Sequence, residues 1–455
     1  MSKVYKLKDI SIQIGSGITP SRTNGKYWEN GTIPWLKTEQ LDEYEIYETS
    51  EHITEKALKE TSIKIFPVNT LSIAMYGEGK TRGNVSILKS EMTTNQACCN
   101  VVVDEKKAYY RYVYYFLRTQ YSQLRRLSSG IRNNLNSNDI KEFEIRLPDS
   151  LETQKQIASI LSSLDSKIEL NNRINAELEA MAKTLYDYWF VQFDFPFDFA
   201  QGKPDTNGKP YKTSGGKMVW NEELKREIPE GWKVGALSDL GDIIGGSTPP
   251  KEIDEYFSNH GTAWITPKDL SMNGDNKFIT KGEIDVSDKG LKAASLKIMP
   301  KGTILLSSRA PIGYMAIARE SVTTNQGFKS FVPKTDYTTP FVFYTIKNSL
   351  PEIINNASGS TFKEISGGTL KTIKTCLPET FTIKNFTIKV SPIFERQNVL
   401  ELENQQLSSL RDWLLPMLMN GQVTSTSSVT GKEASYKIEE ELRMAAEPGN
   451  DPIKI

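Results

Sequence analysis

Apolar side chains recur at alternating intervals of three and four residues between residues 152 and 190, a segment without proline or glycine. This spacing predicts one amphipathic helix of about five heptads, which at 1.5 Å per residue is about 58 Å long. Asn171 and Asn175 fall on the apolar seam, where a polar residue typically fixes the register at some cost in stability. The seam consists of Ile157, Leu161, Leu164, Ile168, Asn171, Asn175, Leu178, Ala182, Leu185 and Trp189.

A second, shorter seam near the C-terminus predicts another helix. Its apolar residues are Leu400, Leu407, Leu410, Leu414 and Met417, with Pro416 and Gly421 near its end. Two seamed helices in one chain most simply pair with each other, and the whole domain between them allows them to run antiparallel. Pairing of these helices with another protein is the alternative.

The segments that precede the two helices repeat one another. Short β-rich stretches at residues 71–75 and 303–307 alternate with turns, and residues 108–127 predict a helix with an apolar stripe. Landmarks recur in one order, at offsets of 229 or 230 residues, which indicates a duplicated domain whose copies each have a core. The landmarks are Thr19-Pro20 with Thr248-Pro249, Trp35 with Trp264, Thr94-Asn95-Gln96 with Thr324-Asn325-Gln326, Ser129-Gly130 with Ser358-Gly359, and Leu147-Pro148 with Leu377-Pro378.

These patterns predict an α+β fold, in which two duplicated, mixed α/β domains are separated by long α-helices that pair as an antiparallel coiled coil. The predicted divisions are residues 1–150 for the first domain, 151–192 for the central helix, 193–230 for a linker rich in glycine and proline, 231–385 for the second domain, 386–421 for the C-terminal helix, and 422–455 for a tail without an assigned role.

The bulk composition is that of an ordinary globular protein. The 455 residues are 38% hydrophobic and 10% aromatic, and the formal net charge is zero. No apolar run is long enough to cross a bilayer, and the first 19 residues lack the apolar stretch of a signal peptide. Cys98 and Cys99 are adjacent, and Cys376 is the only other cysteine, which favours a reduced compartment over a disulfide framework. We therefore expect a cytoplasmic protein without a membrane partner.

Candidate catalytic motifs are weak. His52 and His260 lie in no metal-binding or triad pattern, so we expect neither a metal site nor a catalytic residue. The segment AMYGEGKT at residues 74–81 differs by one residue from a phosphate-binding P-loop, because Ala74 stands where that loop requires glycine. A turn that presents Lys80 and Arg82 is the favoured interpretation, and nucleotide binding is the alternative.

Basic side chains are concentrated in one part of the first domain. Residues 106–138 contain seven basic residues and no acidic residue, whereas residues 40–60 are strongly acidic. Arg111, Arg118 and Arg125 lie seven residues apart and therefore share one face of the predicted helix. Such a face suits DNA phosphates, and it equally suits solvent.

Polar loops recur at matched places in the two copies. The loop SGIRNNLNSN at residues 129–138 is matched by SGSTFK at 358–363, and arginine and asparagine are suited to guanine and adenine respectively. The Thr-Asn-Gln landmark is identical in both copies, which favours a structural role, because readers of two different sequences should differ where they read. The candidate DNA-contacting residues are Thr19, Lys37, Thr38, Lys80, Arg82, Arg111, Arg118, Arg125, Gly130, Arg132, Asn133 and Asn134 in the first domain, and Thr248, Thr266, Lys268, Arg309, Gly359, Ser360, Thr361 and Lys363 in the second.

The ordered set of features resembles one family, the specificity (S) subunit of type I restriction-modification systems. The resemblance covers nearly the whole chain and rests on the duplicated landmarks, with a long helix after each copy. Further segments that support it are ETQKQIASIL at 152–161, IELNNRI at 168–174, GKPYK at 208–212, IPEGW at 228–232, LRDWLLPML at 410–418 and NGQ at 420–422.

The resemblance implies two target-recognition domains, each of which reads one half of a split DNA sequence. It also implies that the helices bind two methyltransferase subunits, that restriction subunits join the assembly, and that this chain is not an enzyme. S-adenosylmethionine, ATP and magnesium are then expected on the partner subunits, with none bound by this chain. The residues implied for the subunit interface are Ile157, Leu161, Leu164, Ile168, Leu178, Leu185, Trp189, Leu407, Leu410 and Leu414. The alternatives are a coiled-coil scaffold without DNA specificity and a P-loop-like NTPase.

Overall fold

The computed structural model of the chain describes residues 2–41, 43–77, 81–127, 134–274, 276–309, 311–359 and 363–422. The chain divides into two compact units, Met1–Ile168 with Gln406–Ile455, and Glu169–Gln405. Each unit contains one of the duplicated domains and part of both long helices. Each unit also has its own large hydrophobic core.

The first unit is built on a five-stranded sheet. The strand Cys98–Val103 is buried along nearly its whole length, as expected of an apolar central strand. The edge strand Glu45–Ile46 is parallel to its neighbour, and the other pairings are antiparallel. In spatial order the strands are Ser11–Ser16, Cys98–Val103, Leu71–Ala74, Val85–Leu88 and Glu45–Ile46.

Smaller sheets and short helices complete the first domain. The helix predicted for residues 108–127 is two helices, because the backbone of Gln120 leaves the helical conformation, with φ at −96° and ψ at 11°. A three-stranded sheet contains Glu51–Ile53, Ile33–Leu36 and Thr93–Thr94, and a two-stranded sheet pairs Ser2–Lys6 with Glu144–Pro148. The α-helices are Glu55–Glu60, Tyr110–Thr119, Tyr121–Arg126 and Ser137–Lys141, with 3-10 turns at Leu7–Ile10, Gly25–Tyr27 and Thr38–Gln40.

The second domain repeats this architecture. Its five-stranded sheet has the same succession of strands along the chain and the same parallel edge pairing, which confirms the duplication. In spatial order these strands are Gly241–Gly245, Lys329–Pro333, Ile304–Ser308, Ile312–Ala318 and Phe278–Ile279. The smaller sheets contain Phe257–Ser258, Ile284–Val286, Thr262–Ile265 and Val322–Thr324, and the pair Lys233–Ala236 with Lys374–Leu377. The helices are Leu237–Leu240, Pro267–Met272, Asp288–Ala293, Thr339–Asn355 and Gly367–Thr372, with a 3-10 turn at Asp254–Tyr256.

The central helix is Leu151–Tyr186, followed by a π-helical turn at Asp187–Val191, so the long helix predicted from the seam is confirmed. The C-terminal helix runs antiparallel to it. In the first unit Asp165 lies 2.8 Å from Arg411, and in the second unit the Asn171 side-chain amide donates to Asn404 at 2.9 Å. Asn171 is fully buried, as its place on the seam predicts.

The C-terminal helix is longer than the sequence pattern suggests. It begins at Thr380 and ends at Met419, which makes it 40 residues long against 36 for the central helix, so the prediction of a shorter helix is wrong. Threonines, β-branched residues and Pro392 obscure its first turns. Tertiary packing overrides these propensities, since Ile383, Phe386 and Val390 are buried in the core of the second unit.

The segment predicted as a linker, residues 193–230, is folded. One small sheet places Pro196–Asp198 between Lys203–Pro204 and Lys209–Pro210, and another pairs Met218–Asn221 with Arg226–Pro229. Phe195 stacks between Tyr211 and Trp232, with ring centroids 4.8 and 5.0 Å away. Aromatic packing therefore holds this segment on the second domain. Across the described part of the chain, no helix is both long and apolar enough to span a membrane.

Candidate nucleic-acid interface

A shared hydrogen bond ties the first loop of each domain to its Thr-Asn-Gln segment. The Thr19 hydroxyl donates to the side-chain carbonyl of Gln96, and the Thr248 hydroxyl donates to that of Gln326. The threonines that precede these glutamines are buried in both copies. The Thr-Asn-Gln segment is therefore part of a framework common to both domains, which matches the structural role favoured from the sequence.

A tryptophan supports the same loop in each domain. The indole N–H of Trp35 donates to the Ile18 carbonyl at 3.0 Å, and that of Trp264 donates to the Ser247 carbonyl at 3.1 Å. Both indoles are buried, and burying an N–H group without a hydrogen-bond acceptor would lower the stability of the fold. These two bonds avoid that cost. In both copies a tryptophan at the equivalent position therefore holds the loop through the backbone carbonyl of an equivalent residue.

The base of the candidate reading loop is also the same in both domains. In the first, Leu135 donates its backbone N–H to the Met75 carbonyl at 3.1 Å, and in the second, Ile365 donates to Ser308 at 3.0 Å. In each domain the candidate loop therefore ends beside the residue that follows or closes one strand of the sheet hairpin, Leu71–Ala74 in the first domain and Ile304–Ser308 in the second. Six candidates on these loops lie outside the described residues, namely Lys80, Gly130, Arg132, Asn133, Ser360 and Thr361.

One arginine side chain contacts the backbone of the neighbouring hairpin in the first domain. The Arg125 guanidinium donates to the Tyr121 hydroxyl at 2.7 Å and to the Arg82 carbonyl at 3.3 Å. Gly83 allows this approach, because it has a φ of +91° and a Cβ there would lie 3.3 Å from Arg125. The neighbouring Asn134 is partly buried. The charge of Arg125 is thus held beside the segment that precedes the strand Val85–Leu88.

The equivalent place in the second domain has a mixed charge. Ser358 and Glu364 exchange backbone hydrogen bonds of 3.1 and 2.9 Å, which close a turn that contains Gly359 with a φ of +131°. Arg309 lies 3.8 Å and Lys329 lies 3.7 Å from the Glu364 carboxylate. Lys363, within the same turn, is exposed. The sequence analysis did not identify Lys329 as a candidate. Its position at the start of an otherwise apolar strand, Lys329–Pro333, could have indicated it.

The three arginines expected to share a face have different environments. Arg111 forms a 2.7 Å ion pair with the buried carboxylate of Glu45, and Arg118 donates to the Tyr114 hydroxyl at 3.4 Å. Arg125 lies on the next helix, beyond the break at Gln120. Glu45 was missed because it lies 66 positions from Arg111 in the sequence. These contacts give Arg111 a packing role, and Arg125 is the one of the three that lies nearest along the chain to the loop at residues 129–138.

Other candidate side chains already have partners within their domain. Lys37 lies 2.9 Å from Glu51, and this hydrogen bond raises the pKa of Lys37 above its ordinary value. Thr266 caps the helix Pro267–Met272 through Asp269, whose carboxylate accepts its hydroxyl at 2.6 Å. The exposed Lys268 pairs with Glu283 at 2.5 Å. Thr38 opens the 3-10 turn Thr38–Gln40.

The arrangement suits recognition of DNA by two similar edges. Arginine, lysine and asparagine donors can bind phosphates and the edges of bases, and the duplicated framework places such donors at one equivalent edge in each domain. The side chains on the two edges differ, while the bonds beneath them are the same. No group of three or more potential metal ligands occurs among the residues that the structure describes.

Comparisons with known proteins agree with this geometry. The M. genitalium type I restriction-modification S subunit has a crystal structure that covers 92% of this chain and 96% of that chain, with a TM-score of 0.56 at 16% identity, which shows a shared fold. The MjaIX specificity subunit of Methanocaldococcus jannaschii is 29% identical over 434 residues, or 92% of this chain and 93% of that protein. The HindI specificity subunit of Haemophilus influenzae is 29% identical over 336 residues, or 65% and 72%. Residues 2–180 and 229–397, more than half of the chain, match the family described as the type I restriction modification DNA specificity domain, and the chain belongs to that family.

Proposed function

We propose that this chain is the sequence-specific DNA-recognition subunit of a type I restriction-modification complex, and that each domain reads one half of a bipartite target. The observation that carries this proposal is the pair of equivalent loop edges on one duplicated framework. Identical bonds support the edges, and different side chains occupy them. A protein that reads two different half-sites requires this combination of a constant frame and variable edges.

The proposed base-reading residues are on the loops. Arg132 and Asn133 in the first domain, and Thr361 and Lys363 in the second, have donors suited to base edges. Arg82 and Arg125 in the first domain, and Arg309 in the second, would contact phosphates and orient each domain. These assignments rest on the chemistry of the side chains and on the position of the loop bases.

The chain is proposed to act with methyltransferase and restriction subunits. Relatives such as the MjaIX protein are named as specificity subunits of restriction enzymes. We assign methyl transfer and DNA cleavage to the partners, and with them the binding of S-adenosylmethionine, ATP and magnesium. This chain would contribute target recognition and the surface on which two methyltransferase subunits assemble.

The methyltransferase surface is proposed to lie opposite the helical seam. None of the ten seam residues expected at the interface is exposed, and Leu161 and Trp189 are almost fully buried within the chain. The C-terminal helix instead exposes Ile388 and Val399, which are 69% and 53% accessible. Eleven residues are close to three helical turns, so these two side chains lie on one face.

The central helix has a similar exposed face. Leu170 and Met181 are 42% and 59% accessible, and they too are eleven residues apart. Exposed apolar side chains aligned along a helix are typical of a partner-binding surface. We therefore propose that these two faces, one on each helix, receive the two methyltransferase subunits.

Co-expression tests the function directly. The chain and the methyltransferase encoded with it would be produced in a host without DNA methylation, and the host genome would then be sequenced for methylated bases. The proposal predicts a single bipartite methylated sequence that appears only when this chain is present. Methylation that is identical without the chain would instead favour a scaffold without DNA specificity.

A further inference from the structure

A buried lysine joins the second domain to both long helices. The Lys277 ammonium lies 2.6 Å from Glu179 on the central helix and 2.7 Å from Gln397 on the C-terminal helix, and it donates to the Tyr344 hydroxyl at 3.0 Å. Its side chain is only 4% exposed. Three separate elements of the second unit therefore converge on a single charged group.

The surrounding carboxylates reinforce this junction. Glu401 accepts the backbone N–H groups of Lys277 and Phe278 at 2.7 and 3.1 Å, and it forms a 2.7 Å ion pair with Arg319. Glu179 also pairs with Lys347 at 2.7 Å. The strand that begins at Phe278 is thus tied to the C-terminal helix by both its backbone and its side chains.

One side of the junction is open space. Glu179, Lys277, Gln397 and Glu401 line a cavity of about 760 Å³. Because a cavity supplies no packing atoms on that side, polar contacts define the relative position of the elements there. Apolar residues of similar size are often as stabilising as a buried ion pair, and in some proteins a buried polar group is what fixes one packing geometry.

The first domain uses a simpler attachment. Tyr115, which corresponds to Tyr344 at an offset of 229, donates to Asp165 of the central helix at 2.7 Å. Arg411 of the C-terminal helix pairs with the same carboxylate at 2.8 Å. Tyr344 likewise donates to Glu179 of the central helix at 2.9 Å, so a domain tyrosine bound to a carboxylate of that helix is common to both copies. Among the residues that the structure describes, a buried lysine takes part in this attachment only in the second copy.

We infer that Lys277 and Glu179 are positioning residues that fix the angle of the second recognition domain on the helices, and thereby the gap at which the second half-site is read. This inference rests on the proposed function. Neither residue belongs to the candidate reading loops, so their effect should fall on the spacing between half-sites and not on the bases recognised.

The test uses the full chain assembled with its methyltransferase subunits. Methylation rates would be measured on duplexes whose half-sites are separated by the native gap, or by one base pair more or fewer. In Lys277→Met and Glu179→Gln the preference for the native gap should fall about tenfold, a coupling typical of interacting residues. Base preference within each half-site should stay unchanged. Lys289→Met, which removes an exposed 2.6 Å pair with Glu255, is the matched control and should behave as wild type.

An assembled single variant that keeps the native gap preference overturns the inference. If neither single variant assembles, the double variant Lys277→Met with Glu179→Leu decides, because it removes both buried charges together. Relaxed gap preference in that variant supports the inference, whereas unchanged preference, or failure to assemble, assigns the pair a purely structural role. A wild-type complex that methylates no bipartite sequence contradicts the proposed function itself.

Discussion

Asn171 of the central helix donates to Asn404 of the C-terminal helix at 2.9 Å, and the same amide also reaches Glu403 at 2.9 Å. Asn171 is completely buried, and its carbonyl oxygen has no hydrogen-bond partner. Such a contact costs stability but disfavours other registers, because a shift would leave the whole amide unsatisfied in an apolar seam. The antiparallel register of the two helices therefore depends on particular residues.

This register leads to a prediction about the helices as a spacer. Four residues would be inserted between Asp165 and Asn171 and four more between Asn404 and Arg411, so that both inter-helix contacts are kept. Each helix lengthens by about 6 Å at 1.5 Å per residue. Since DNA advances about 3.4 Å per base pair, the unread gap should widen by one or two base pairs, as measured by methylation sequencing.

Insertion into the central helix alone is the control. It moves Asn171 by about one helical turn relative to Asn404, so assembly or activity should be lost. An active paired variant with an unchanged gap would show that the helices do not set the spacing.

A second prediction concerns the pH dependence of stability. Burial alone raises the pKa of the Glu179 carboxyl, but the adjacent Lys277 and Lys347 outweigh burial and hold that pKa at about 2, below the ordinary value of 4.5. The folded-state pKa is depressed, so this group stabilises the protein above pH 4.5 and loses that contribution as the pH falls towards 2. At about 1.4 kcal/mol per pKa unit, the contribution at neutral pH is at most about 3.5 kcal/mol.

Urea unfolding of the wild type and Glu179→Gln measures this effect. The difference in the free energy of unfolding should be largest at pH 6–7 and should shrink steadily below pH 4.5. Glu255→Gln, which alters an exposed pair with Lys289, should show little difference at any pH. A difference that does not change with pH would mean that the Glu179 charge is not responsible.

The hydrogen bond from Thr19 to Gln96 leads to a third prediction. Gln96→Ala removes the acceptor of the Thr19 hydroxyl and should lower the free energy of unfolding by about 1 kcal/mol, the usual net value of one hydrogen bond. The methylated sequence should stay the same, because the bond belongs to the part that both domains share. Altered bases in the first half-site would instead place Thr19 in direct contact with DNA.

The exposed helix faces give a fourth prediction. Val399→Asp and Ile388→Asp should each weaken binding of the methyltransferase at least fivefold, because a charge would be buried in an apolar contact. Affinity would be measured by titration of the purified chain with methyltransferase. Ile298→Asp is the control, since Ile298 is 54% exposed and belongs to neither long helix. Equal loss in the control would indicate general misfolding.

Strong local periodicity made much of the fold predictable. The seam from Ile157 to Trp189 predicted the central helix, and the repeated landmarks predicted two copies of one domain. The start of the C-terminal helix was hidden because Thr380 and its neighbours have weak helix propensity, and only burial of Phe386 in the second core explains why they are helical.

The candidate site was predictable in part. The loops beside Met75 and Ser308 were found because their polar residues recur at matched positions. Long-range pairs such as Arg111 with Glu45, or Lys277 with Glu179, leave no mark in one sequence, because each partner alone resembles an ordinary surface charge. Their burial becomes visible only when the fold brings distant elements together.

The central claim, that each domain reads its own half-site, is tested most directly by substituting one loop at a time. Arg132→Ala with Asn133→Ala in one variant, and Thr361→Ala with Lys363→Ala in another, would each be assembled with the methyltransferase and profiled by methylation sequencing. A good bidentate base contact contributes about 1–3 kcal/mol of discrimination. If each domain reads its own half-site, the first variant should relax bases in one half of the methylated sequence and the second variant in the other half. A change in both halves from either variant would contradict independent reading.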